Sequence, residues 1–160
     1  MPETVQFSND ERMFKLAERL YGAVAERLRR LLPQADIRHV GGTAIPGSLT
    51  KGDLDVVVRV QPNDFASAEE LLAKEFARNT GSDRTDDFSA FVGESTVPEL
   101  GIQLVAVGGS ADTFHVWVQQ LLDDPTLRRK YDELKRSFDG LAMEEYRTAK
   151  SAFIEKHVQR

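Results

Sequence analysis

Residues 38–58 read Arg38-His39-Val40-Gly41-Gly42-Thr43-Ala44-Ile45-Pro46-Gly47-Ser48-Leu49-Thr50-Lys51-Gly52-Asp53-Leu54-Asp55-Val56-Val57-Val58. A Gly-Gly turn is followed, eleven positions on, by two aspartates spaced i, i+2 that open a valine-rich run. Residues two apart in a strand project from the same face. Asp53 and Asp55 therefore stand side by side, and Leu54, Val56 and Val58 take the buried face. Neighbouring carboxylates repel unless a cation lies between them. The hard cation that takes oxygen ligands and works with phosphates is Mg²⁺, with Mn²⁺ as its substitute. A turn of glycines lets backbone N–H groups come close to an anion. Metal-binding carboxylates beside a phosphate-binding turn make a nucleotidyl-transfer site. The alternative is an ordinary glycine turn beside a solvent-facing aspartate pair. Asp is disfavoured in strands, and Asp55 sits inside the apolar run, which favours the metal site.

Gly-Gly, a spacer and Asp-hydrophobic-Asp-hydrophobic together resemble the hallmark of the nucleotidyltransferase (DNA polymerase β-like) superfamily. The fuller string HVGGTAIPGSLTKGDLDVVV resembles a narrower branch, the GrpB family of nucleotidyltransferase-like proteins. That family reads roughly H-hydrophobic-G-S-T-x-hydrophobic-P-G-hydrophobic-x-x-K-x-x-hydrophobic-D. The matching positions are His39, Gly41, Thr43, Pro46, Gly47, Lys51 and Asp55. Further matches lie in the C-terminal third, at Pro125, Tyr131, Leu134, Lys135, Tyr146, Lys150, Phe153 and Ile154. The resemblance spans about residues 36–158. It implies an α/β (α+β) minimal nucleotidyltransferase fold, a mixed sheet with flanking helices and a C-terminal helical extension. Two departures are informative. Gly42 stands where GrpB proteins usually have Ser. Asp53 stands where they often have an apolar residue, which brings this chain nearer to an active transferase pair. The superfamily's third carboxylate is not evident.

The chain has 160 residues, of which 41% are hydrophobic, consistent with one domain. The expected division is a sheet-containing core over 1–110 and C-terminal helices over 111–160. No apolar run is long enough for a membrane span. Cysteine is absent, which excludes disulfides and Cys-ligated zinc, and a cytoplasmic location is expected. The net charge of −5 argues against broad nucleic-acid binding. Residues 125–160 carry +3 and the first 124 carry −8. A basic C-terminal segment facing an acidic metal site suits a phosphate-bearing substrate.

Periodicity predicts a helix over 8–32, capped by Ser8 or Asn9, then a strand over 36–41 and a strand over 53–60. A helix over 63–75 and a polar turn over 79–87 follow. Strands over 88–94 and 100–108 are too close for a crossover helix and should be antiparallel. Helices over 112–123, 125–137 and 142–158 close the chain, with Pro125 in a first turn and Gly140 at a helix stop.

Within the strand over 100–108 Gln103 is the only polar side chain. By the resemblance it is the natural positional candidate for the third acid, and it either lines the metal site or faces outward. Asp86, Asp87 and Glu99 are fallback acids at strand ends. Lys51 would hold a phosphate as a point charge, or be a solvated loop lysine. Thr43 would place its hydroxyl and N–H on a phosphate, or cap the following turn. Arg59 shares the face of Asp53 and Asp55. His39 is expected to be packed and hydrogen-bonded. Tyr131 with Lys135, and Tyr146 with Lys150, are i, i+4 pairs on helix faces. Such pairs either stack on a nucleotide base and bind its phosphates, or pack helix against helix.

Two functions follow. One is a Mg²⁺-dependent nucleotidyltransferase. Asp53 and Asp55 serve as catalytic metal ligands with Gln103, and Gly41, Gly42, Thr43, Lys51, Lys135 and Lys150 hold a nucleoside triphosphate that is transferred to an acceptor. The other is a catalytically weak or inactive nucleotide- or phosphate-binding protein of the same fold, or an interaction module of toxin–antitoxin type.

Overall fold

The computed structural model describes residues 2–160. Helix α1 (Glu11–Leu31) leads into β1 (Asp36–Val40), a one-turn 3-10 helix at Gly42–Ala44, and β2 (Leu54–Val60). Then come α2 (Phe65–Glu75), β3 (Ala77–Arg78), β4 (Phe88–Val92) and β5 (Leu100–Ala106). Helices α3 (Phe114–Asp123), α4 (Pro125–Phe138) and α5 (Met143–His157) complete the chain. The five strands form one sheet in the order β1-β2-β5-β4-β3. β2 and β5 are parallel, and every other pair is antiparallel, so the sheet is mixed as expected.

The valine run of β2 explains why the sheet carries helices on both faces. Leu54, Val56 and Val58 are fully buried in the main core, with Leu28 of α1 and Leu72 of α2. Val57 points the other way, yet it too is fully buried, with Val40 and Val105, beneath Phe114 and Val118 of α3. The three C-terminal helices make their own cluster from Trp117, Leu121, Leu127 and Tyr131. Ile45, from the loop after the Gly-Gly turn, inserts into that cluster and fixes the loop against the helices.

The helix cap differs from expectation. Asp10 caps α1, its Oδ1 accepting from the N–H of Arg12 at 3.0 Å. Ser8 is instead drawn into a two-way backbone pairing with Thr50, both bonds 2.9 Å. Helix α3 begins two residues later than its pattern suggested, because Asp112 is held by Arg59 through 2.7 and 2.8 Å bonds. Strand β3 has two residues and no legible period. Pro125 opens α4, and Gly140 follows its end with φ +82°.

Candidate active site

The site lies where the C-terminal end of β1 meets the N-terminal ends of β2 and β5, because antiparallel and parallel pairing bring these ends together. Val40, Asp55 and Gly101 are direct neighbours across the three strands. Glycine is required on both sides of Asp55. Gly41 has φ +77°, and a Cβ there would overlap the Asp55 carboxylate. A Cβ at Gly101 would come within 2.9 Å of Asp55 Oδ1. A Cβ at Gly42 would lie 2.6 Å from Thr50 Oγ1. These glycines pack the turn tightly against the carboxylate and the following loop.

Asp55 is enclosed, and burial pushes its carboxyl above the usual carboxylate range; Lys150 pulls it down and Asp53 adds to the rise. Gln103 Nε2 donates to Asp55 Oδ1 over a long 3.4 Å. Its Oε1 is buried without a hydrogen-bond partner. Gln103 lies two residues along β5 from Gly101, the strand partner of Asp55, and lines the same cleft. Asp53 is half-buried, and the ammonium of Lys51 lies 3.3 Å from its Oδ2.

Thr43 is placed differently from its phosphate-binding reading. Its hydroxyl is buried; it donates to the Asp53 carbonyl at 2.9 Å and accepts from His39 Nε2 at 2.9 Å. That hydroxyl therefore fixes the turn to the aspartate segment, and only the backbone N–H of Thr43 remains for an anion. The first N–H groups of a helical turn have no acceptor within it, so those of Gly42 and Thr43 suit that task. His39 is packed as expected, its ring stacked on Tyr21 at 5.1 Å with Nδ1 3.4 Å from Glu18. Burial lowers its pKa, while Glu18 and Asp55 pull it up.

Lys135 and Lys150 share the cleft wall but are differently engaged. Lys135 is 3% exposed and donates to the Leu49 carbonyl at 2.6 Å, with its ammonium 4.2 Å above the Tyr131 ring. Burial brings its pKa down to about 8. Lys150 makes no ion pair among the described residues. Burial lowers its pKa, and the Asp55 charge opposes that shift. Tyr131 and Tyr146 are almost wholly buried and pack helix on helix, while both still line the cleft.

The fallback acids divide by position. Asp87 is bonded to Thr85 and Ser110 and pairs with Ala106, at the opposite end of β5. It cannot reach Asp55, because each strand residue adds about 3.3 Å; Asp86 is its chain neighbour. Glu99 alone borders the cleft with Asp53. Arg59 is committed to Asp112 and to Asp36, at 2.7 Å, away from the site. Sequence reasoning missed Arg147, which lines the cleft one helical turn before Lys150. The i, i+3 spacing of two cations was the available signal. It also missed Asp132, which accepts from the Ser48 hydroxyl and, at 3.1 Å, from the Leu49 N–H.

The cleft has a volume of about 720 Å³ and runs from the Gly-Gly turn past both aspartates to the aromatic wall of α3, α4 and α5. Among the described residues no three His, Cys, Asp or Glu side chains form a metal-binding group. The two carboxylates suit a hard cation, and Gln103 could add its oxygen only with its amide turned over, since its Nε2 faces Asp55.

A mixed sheet of this order, carrying its aspartates beside a glycine turn, is a nucleotidyltransferase-like fold. Cid1 poly(U) polymerase in its Mg 3′-dATP-bound form superposes with a TM-score of 0.51 at 16% identity, over 76% of this chain and 40% of that one. The conserved protein GrpB from Enterococcus faecalis superposes with a TM-score of 0.68 at 16% identity, over 88% of each chain. A UPF0157 protein of Vibrio cholerae is 34% identical over 155 residues, 96% of this chain and 82% of that protein. The sequence profile of the GrpB protein family matches residues 15–160, and the chain belongs to that family. No helix among the described residues is long and apolar enough to cross a membrane.

Proposed function

We propose that this protein is a metal-dependent nucleotidyltransferase that takes a nucleoside triphosphate and an acceptor. The observation that carries the reading is the convergence of Asp53, Asp55, the Gly41-Gly42 turn and the unpaired Lys150 on one cleft. Asp53 and Asp55 would hold Mg²⁺, and Gln103 would join them with its amide turned so that Oε1 faces Asp55. When bound, that ion supplies charge neutralisation on the phosphates. The N–H groups of Gly42 and Thr43 would donate to the triphosphate oxygens. Lys150 and Arg147 would balance its charge from α5. Positioning and charge balance then provide most of the rate, as in other phosphoryl and nucleotidyl transfers.

A second reading is favoured by one residue. Gln103, the positional candidate for a third acid, brings no charge and cannot take a proton at neutral pH. The site on this reading binds nucleotide with little turnover.

The test is a panel of ATP, GTP, CTP and UTP with Mg²⁺ or Mn²⁺, read by thermal shift and by pyrophosphate release. A metal-dependent shift that Asp53→Asn and Asp55→Asn both abolish supports nucleotide binding. No shift with any triphosphate overturns both readings. Pyrophosphate release separates transferase from binder. Gln103→Glu is expected to tighten Mn²⁺ binding by about tenfold, the equivalent of one charge-assisted contact. Unchanged Mn²⁺ affinity in Gln103→Glu would place that side chain outside the ligand set.

A further inference from the structure

A second cavity, of about 510 Å³, adjoins the cleft. Lys51, Asp53, Glu99 and Arg147 line both, so the Lys51–Asp53 ion pair is a shared wall rather than an outer rim. The rest of this cavity is built from the N-terminal segment, α1, the β4–β5 loop and the start of α5. Its apolar surface comes from Met13, Leu16, Pro98 and Met143, and its one unshared charge is Glu3. Leu16 is 45% exposed, an apolar side chain facing open space beside that charge.

We infer that this cavity receives the acceptor, and that the acceptor is a small alcohol carrying an amine on an apolar or sugar-like frame. The inference rests on the nucleotidyltransferase reading above. In-line displacement requires the attacking oxygen to approach from the side opposite the leaving pyrophosphate. With the triphosphate lying along the Gly41-Gly42 turn, a chamber that meets the cleft at Asp53 gives such an approach. The charge pattern sets the class. Glu3 and Glu99 form no ion pair among the described residues. Lys51 is already paired with Asp53 at 3.3 Å, which leaves Glu3 and Glu99 against the single cation Arg147, beside the apolar side chains, to meet the acceptor. An ammonium group gains from that field, whereas a polyanion such as an RNA end is repelled. The acceptor hydroxyl oxygen forms the new bond to the α-phosphorus. The bridging P–O bond to the β-phosphate breaks, and pyrophosphate leaves with its electron pair. The hydroxyl proton passes to the Glu99 carboxylate.

The test uses the full chain and measures binding by calorimetry without nucleotide. The probes are glucosamine disaccharide, its di-N-acetylated counterpart, glucose 6-phosphate and a short oligouridylate. The expected result is that the amine-bearing sugar binds at least about tenfold more tightly than the other three. Leu16→Arg, an exposed substitution that puts a cation into the cavity, should reduce amine binding about tenfold, and Glu3→Gln should reduce it several-fold. Both variants should keep the metal-dependent triphosphate shift of the wild type. Equal or tighter binding of the acetylated sugar, the phosphate or the RNA overturns the acceptor class. Unchanged amine affinity in Leu16→Arg and Glu3→Gln overturns the site, as does amine binding weaker than about 10 mM in the wild type. Absence of any triphosphate shift in the wild type is a separate failure, that of the nucleotide reading, and amine selectivity is measured independently of it.

Discussion

Asp55 is an acid held in an enclosure that disfavours its charge. Its folded-state pKa lies above the ordinary 3.8, so the folded protein keeps a proton that the unfolded chain has already released. That contribution favours folding at low pH and is lost as pH rises from 3.8 through the raised value. Near neutrality the ionised carboxylate is a net cost to the metal-free protein. Asp55→Asn should therefore stabilise the metal-free protein at neutral pH and leave it almost unchanged near pH 4. Denaturant titrations in chelator at both pH values check this. Lys135 has the opposite sign of charge and the same cause. Its pKa falls from 10.5 to about 8, so the unfolded chain binds the extra proton between those values. Stability attributable to Lys135 should rise with pH across that window. Relative to Lys135→Met, the wild type is expected to gain about 2–3 kcal/mol from pH 8 to pH 10.5. A flat difference across the window would mean that this ammonium is not desolvated.

At the scale of elements, the loop from Gly47 to Thr50 is held from outside itself. Asp132 of α4 accepts from the Ser48 hydroxyl and the Leu49 N–H, and Lys135, one turn on, donates to the Leu49 carbonyl. Asp132→Ala leaves two donors without an acceptor. A loss of about 1–3 kcal/mol is expected, with faster hydrogen exchange at Leu49, measured by mass spectrometry. This clamp was invisible in the sequence, because its partners are 83 and 86 residues apart and neither carries a periodic signal. The four longer strands and the long helices were legible, since alternation in β2 and the apolar stripe of α1 are local. Asp53 and Asp55 were legible for the same reason, being two residues apart where β2 begins. The cap of α1 was misread because Ser8, chemically as suitable as Asp10, is claimed by the distant Thr50. The partners of the Thr43 hydroxyl were hidden likewise. A hydroxyl in a glycine turn suggests a phosphate ligand until Asp53 and His39 are seen on either side of it.

Across the whole molecule, the uneven charge of the sequence becomes a spatial arrangement. The segment from 125 to 160, carrying +3, folds over the strand ends that hold Asp53 and Asp55. Attraction between that segment and bound phosphates acts partly through solvent, where ions screen it over about 8 Å at physiological salt. Triphosphate affinity should fall several-fold between about 0.05 and 0.5 M salt, as read by calorimetry. A salt-independent affinity would assign the binding to buried contacts alone.

The N-terminal segment is stitched at both of its ends. Thr4 bridges to Ala142 at the head of α5, and Ser8 pairs with Thr50, next to the lysine that meets Asp53. The chain's first few residues are thus a tether between the helical roof and the loop beneath it. Deleting residues 2–9 would therefore release the helical roof from that loop at both stitches, beside the lysine that meets Asp53.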